Sequence, residues 1–354
     1  MKMKYLIGLF VILTLFNMTI GQCAADRWRP PVKCQTIVAL DGSGDFTSIQ
    51  AAIDAAPSNS EARYIIGVKN GVYREIIYIP ASKKNISLIG QSVEHTKISY
   101  SRYAGEINPV TGKTFGTSGS SIVMINGWGF TAENITFENS FDESTAAAGR
   151  QAVAVKTEAD KLIFKNCRFI GNQDTLYARL HRQYFKDCYI QGDVDFIFSA
   201  ATAVFDNCVI HSADRPGITP KGYITAGSAG ADNPYGFVFL NCKLTADPGV
   251  GANSVYLGRP WVPSSSSSPI YVRTVFIGCE LGEHIKPEGW TSMSGDLPEE
   301  HFFREYQNTG PGTDANHPLR KLLTKEEADT YSVKNIFKTF YGTVDDWDPT
   351  APVY

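Results

Sequence analysis

Six short pieces of the chain share one pattern: "ITFENS", "LIFKNC", "QYFKDC", "AVFDNC", "FVFLNC" and "TVFIGC". Each has a phenylalanine, two residues, then a cysteine, with serine in the first piece. The phenylalanines are Phe137, Phe164, Phe185, Phe205, Phe239 and Phe276; Ser140 is followed by Cys167, Cys188, Cys208, Cys242 and Cys279. The residue just before each is Asn139, Asn166, Asp187, Asn207, Asn241 or Gly278. Asn, Asp and Gly are the residues that tolerate positive φ. Phe and Cys three apart would face opposite sides of a straight strand, and a left-handed bend between them turns both inward. The units recur at intervals of 27, 21, 20, 34 and 37 residues. The shortest intervals fit one coil of about three short strands, and the longer ones fit the same coil with inserted loops. The pattern predicts an all-β, single-domain, right-handed parallel β-helix whose rungs stack into one continuous core. A β-sandwich would not need the same kind of bend residue six times.

The open ends of such a coil need covers. "DFTSIQAAIDAAP" reads as a short helix with Thr47 and Gln50 as its capping box and Pro57 at its close. "LTKEEADTYSV" offers Thr324 and Glu327 in the same relation near the C-terminus. The run "SSSSSP" at 264–269 reads as a flexible loop. No linker divides the chain.

At the N-terminus, Lys2 and Lys4 precede an apolar run from Tyr5 to Phe16, followed by "NMTIGQCAAD". This reads as a secretory signal peptide over residues 1–21, cleaved between 21 and 25, ahead of a 22–354 domain acting extracellularly. No later stretch is apolar enough to span a bilayer. The chain is expected to act as a monomer. Seven cysteines permit disulfides, and Cys23 and Cys34 could form a local bridge. Asn85 and Asn134 open glycosylation sequons. A net charge of −3 without a basic run gives nucleic-acid binding no electrostatic support.

Asp174 and Asp195 are 21 residues apart, the same interval as Cys167 and Cys188. If one coil is 21 residues here, the aspartates sit on adjacent rungs with Cα atoms about 5 Å apart. Gln151 and Gln173 fall in the same stretch. Two carboxyl groups so close split their titration into one acid and one carboxylate, suited to acid/base and nucleophilic work. The bland alternative is a solvated pair on a polar rung. In "YLGRPW", Arg259 and Trp261 point the same way on an extended segment. They offer a cation for a carboxylate and a flat face for a sugar, or else a packed Trp beside a surface Arg. There is no G-x-S-x-G elbow and no H-E-x-x-H motif. His181, near the aspartates, reads as structural or solvated.

"RQAVAVKTEAD", "GNQDTLYA", "HRQYFKDC", "GDVDFIF" and "YLGRPW" together resemble the pectin methylesterase (pectinesterase) family of carbohydrate esterases. So do "DGSGDFTSIQAAIDAAP", "GVYREII" and "AENITFENS". The resemblance covers about residues 36 to 345. It implies hydrolysis of methyl esters of galacturonan (pectin), without a metal or cofactor. Asp195 matches the family's nucleophile and Asp174 its general acid/base. Gln151 and Gln173 match the oxyanion-stabilising side chains, and Arg259 the residue that positions the nucleophile. Trp261 matches a sugar-contacting aromatic and Thr117 a substrate-binding threonine, while Tyr177 and Phe198 would line the cleft. Where the family has Gly-Asn or Gly-Asp after "DFIF", this chain has Ser199-Ala200, a change aimed at the cleft wall. No inhibitor-like pro-region is expected between the signal and the first strand, and the loops around 141–150 and 260–270 suggest microbial-type members. The rival readings are a glycosidase or lyase on the same scaffold, and an inactive pectin-binding homologue.

Overall fold

The computed structural model describes residue 28 and residues 30–263, 269–340 and 342–354. Three sheets of ten, seven and eight strands run along one axis. The chain visits them in turn. Val155–Thr157 lies in the seven-stranded sheet, Leu162–Lys165 in the ten-stranded and Arg168–Ile170 in the eight-stranded, and then Leu176–Ala178 returns to the first. Neighbours within these sheets are parallel. Parallel crossovers wind right-handed, so the architecture is the expected right-handed parallel β-helix.

The phenylalanines form its spine. Phe164, Phe185, Phe205, Phe239 and Phe276 stand in register on successive strands of the ten-stranded sheet. Their rings stack at centroid spacings of 4.9, 4.8, 4.6 and 4.2 Å. The bend residues do turn through the left-handed region: φ is 47° at Asn166, 53° at Asp187, 54° at Asn207, 53° at Asn241 and 65° at Gly278. Each bend brings its cysteine inward, and Cys167, Cys188, Cys208, Cys242 and Cys279 are buried and free. They form a ladder of thiols rather than disulfides.

The first unit is out of step with the sequence expectation. Phe164 pairs with Ala132, not with Phe137. The bend of that coil is Asn134, with φ 57°, and Ile135 takes the cysteine's place. Phe137 lies in the next sheet, in register with Phe169. "ITFENS" imitates the repeat because both sheets bury an aromatic at nearly the same phase.

The N-terminal helix Ile49–Ala55 buries Ile49, Ala52 and Ile53 in the main core. Its cap is Ser48, not Thr47: the Ser48 hydroxyl accepts from Ala51 N. Glu75, from a distant turn, accepts from Ile49 N and Gln50 N and supplies the anion this helix end favours. Gln50 instead binds Asp54 and the backbone of Tyr78. The Thr324–Glu327 capping box is present at Lys325–Ala328. This helix and Val333–Phe337 lie along the flank of the coil, where Leu323, Ile336 and Phe337 pack on Tyr184, Val204, Val238 and Val275. At the C-terminal end of the core, Trp290 stacks on Phe303 at 4.4 Å.

The signal peptide, Cys23 with its bridge to Cys34, and serines 264–268 lie outside the described residues. Among the described residues no helix is long and apolar enough to cross a membrane.

Candidate active site

Five strands of the seven-stranded sheet build the site: Val155–Thr157, Leu176–Ala178, Val194–Ser199, Gly222–Gly227 and Val255–Pro260. Lys156, Tyr177, Phe198, Ala226 and Arg259 occupy one row across them. The pairing of Leu176 with Ile197 is the interval of 21 itself, and Asp174 and Asp195 each lie two residues before these partners. Asp174 N donates to Val194 O at 3.0 Å, tying the two rungs together at the aspartates.

Both aspartates are left-handed, with φ 66° at Asp174 and 51° at Asp195. Asp195 also stands on a β-bulge, where the register against Gly222–Gly227 shifts between Val194 and Ile197. A bulge re-aims a side chain that would otherwise follow the pleat. Arg259 then holds the Asp195 carboxylate in a two-pronged grip, donating from Nε to Oδ1 at 2.9 Å and from Nη2 to Oδ2 at 2.7 Å. Its guanidinium lies 3.7 Å from the centre of the Tyr223 ring, which stacks on Tyr256. The cation is thus held from two directions, by an aromatic ring beneath it and by the carboxylate in front.

A cavity of about 260 Å³ brings together all nine residues that the family resemblance assigned to a site. Asp174, Asp195, Gln151, Gln173 and Arg259 line it with Thr117, Tyr177, Phe198 and Trp261. The aromatic wall is continuous: Tyr177 stacks on Phe198 at 4.3 Å and Phe198 meets Trp261 at 5.8 Å. Gln151 and Gln173 come from adjacent coils, with Ala152 N donating to Gln173 O at 3.0 Å. Thr117 sits on the short helical turn Gly116–Gly119, which Lys156 anchors through Ser118 Oγ at 2.7 Å. Two lining residues, Ala226 and Met293, were not singled out from the sequence. Ala226 follows from the row register, but Met293 arrives from a loop that carries no repeat signal. His181 is not among the lining residues; burial lowers its pKa.

The aspartates are nearly enclosed, Asp174 at 7% and Asp195 at 6% exposure. Burial pushes the Asp174 carboxyl well above the usual carboxylate range, and the charge of Asp195 pushes it further. Burial also raises Asp195, but the bond and the charge of Arg259 oppose that rise. Arg259 thus favours the charged form of Asp195, while burial and that charge favour the protonated form of Asp174.

Ser199 has φ 93° and is buried at the end of the strand that carries Asp195. That backbone favours glycine.

A parallel β-helix with a buried carboxyl pair, an arginine clamp and an aromatic wall defines a class of β-helix protein with an enclosed acidic site. The Pectinesterase family model matches residues 35–339, and the chain belongs to that family. It is 38% identical to Pectinesterase 31 of Arabidopsis thaliana, over 82% of this chain and 88% of that protein. It is 36% identical to Pectinesterase/pectinesterase inhibitor 18 of the same plant, over 87% of this chain. The chain spans about half the length of the latter (54%). PemA, a pectin methylesterase from Erwinia chrysanthemi, has the same fold with a TM-score of 0.81 at 32% identity, covering 91% of this chain and all of that one. With plant proteins as its curated relatives, the expected affinity with microbial-type members is not borne out.

Proposed function

We propose that this protein is a secreted pectin methylesterase that hydrolyses methyl esters of galacturonan through a covalent Asp195 intermediate. The observation that carries this reading is the buried aspartate pair with only one member gripped by Arg259. Asp195 is the carboxylate of the pair and attacks the ester carbonyl carbon. The carbonyl oxygen becomes an oxyanion, met by the side-chain amides of Gln151 and Gln173. Asp174 gives its proton to the methoxy oxygen as the C–O bond breaks, and methanol leaves. Asp195 is then acylated and Asp174 is a carboxylate. Asp174 takes a proton from water, which attacks the acyl carbon and expels Asp195. The product leaves as the galacturonic acid group, which gives its remaining proton to solvent, and both aspartates regain their starting states. Trp261, Phe198 and Tyr177 give the sugar rings an apolar wall, and Thr117 lines the same cavity. The extracellular assignment rests on the Lys-flanked apolar run at the N-terminus.

The test is product analysis on methylated pectin. Methanol is expected without new reducing ends; new chain ends without methanol would mean a glycosidase or lyase. Asp195→Ala is expected to lower kcat by at least about a thousandfold while pectin binding stays measurable. Turnover surviving in that variant would remove Asp195 from the nucleophile's role.

A further inference from the structure

A second carboxyl pair lies directly behind the first. Asp193 is two residues before Asp195 on the approach to the bulge and is 2% exposed. Its carboxyl hydrogen-bonds with that of Glu143, which stands on the segment leading to Gln151. Arg215 Nε faces both, 3.3 Å from Asp193 Oδ2 and 3.6 Å from Glu143 Oε1. One cation thus serves the buried carboxyl of Asp193 and the half-buried carboxyl of Glu143, whose Oε2 atom is buried without another partner.

The backbone of Asp193 joins three coils. Its N–H donates to Asn172 O at 3.3 Å, next to Gln173 and Asp174. Its carbonyl accepts from Tyr223 N at 3.0 Å, the residue whose ring supports Arg259. Its side chain accepts from Val194 N, which opens the bulge. Gly222 is what lets this carbonyl come so close, since a Cβ there would collide with it.

We propose that Asp193 keeps a proton directed at Glu143 beneath Arg215, and that this makes Asp193 a positioning residue that holds the bulge presenting Asp195. Two full negative charges cannot occupy this enclosed contact with one arginine, so the proton is what keeps the two carboxyls together. The charged groups facing Asp193 are Glu143 from the loop, Arg215 from the segment after Val209–Ser212, and Asp174 from the preceding coil. Asp195, bound to Arg259, is two residues along. Burial first, and then Glu143, lift the Asp193 carboxyl to about 8. Loss of the proton at alkaline pH sets two carboxylates against each other under the bulge that presents Asp195. The activity then falls on the alkaline side.

This inference rests on the reading of Asp195 and Asp174 given above, but its test is separate from the loss of turnover that tests that reading. Methanol release is measured from neutral to alkaline pH, corrected for enzyme-free saponification, on the wild type and on Asp193→Asn and Glu143→Gln. Each amide variant keeps a hydrogen bond across the contact but cannot build two charges there. Both are expected to retain neutral activity and to carry the alkaline limb of kcat/KM upward by at least about one pH unit. Asp193→Ala, which loses the contact, is expected to lose kcat across the whole range, and rescue by Asn separates positioning from simple packing. An alkaline limb unmoved in either amide variant overturns the proposal. Because Glu143 stands on a loop, its variant remains informative should Asp193→Asn fail to fold.

Discussion

Asp174, Asp195 and Ser199 are three non-glycine residues with positive φ around one cavity. For the aspartates this conformation is mildly unfavourable, since a short polar side chain tolerates it better than most. For Ser199, at φ 93°, nothing in the side chain's chemistry favours it. Ser199→Gly is expected to raise stability by up to about 1 kcal/mol, the relief of strain exceeding the extra freedom of glycine in the unfolded chain. The urea midpoint checks it, and a midpoint below wild type would show that Ser199 is not strained. Ser199 was legible in the sequence only as a departure from a pattern; its strain was not, because φ has no signature in composition. The aspartates were legible through their spacing, and the bulge that aims Asp195 was not, because a bulge is set by register against a strand about thirty residues away. The Asp193–Glu143 contact was invisible for the same reason: it joins a loop to a strand fifty residues on.

At the scale of elements, the phenylalanine ladder carries the coil. Phe205 is fully buried between Phe185 and Phe239. Phe205→Ala removes a ring from the middle of the stack, and neighbours pinned by strand pairing on both sides have little freedom to close the gap. A loss of about 3–5 kcal/mol is expected in chemical denaturation. A loss under about 1 kcal/mol would show that the coil collapses around the void, and that the stack is not what spaces the strands. This ladder was readable because identical side chains recur at a bend residue whose chemistry is restricted. The reading failed at the first unit, where Ala132 replaces phenylalanine and Phe137 supplies a decoy from the next sheet. The N-terminal helix shows the complementary limit. Its existence followed from a local pattern, but its cap depends on Glu75, far outside any local window.

At the scale of the whole molecule, a solenoid is held together by nearest-neighbour contacts, so distant coils communicate weakly. The C-terminal segment changes that. Phe337 and Ile336 lie across strands from successive coils, against Tyr184, Val204, Val238 and Val275. Arg182 ties the same segment down, bridging buried Asp160 of the preceding coil and Asp345 of the segment, and donating to Phe337 O. The segment therefore acts as a strap over the coils that carry the aspartates, and its last residue, Tyr354, reaches back to Glu133. Phe337→Ala is expected to speed amide hydrogen exchange in strands Arg182–Lys186 and Thr202–Asp206. Exchange in Thr36–Val38 and Tyr64–Val68, at the other end of the ten-stranded sheet, should stay near wild type. A uniform rise along the whole sheet would contradict this, because it would make the coil one cooperative unit. A rise confined to the strapped coils would instead connect the strap to the aspartate pair, since strand Arg182–Lys186 follows Asp174 and precedes Asp195 in the same turn of the chain.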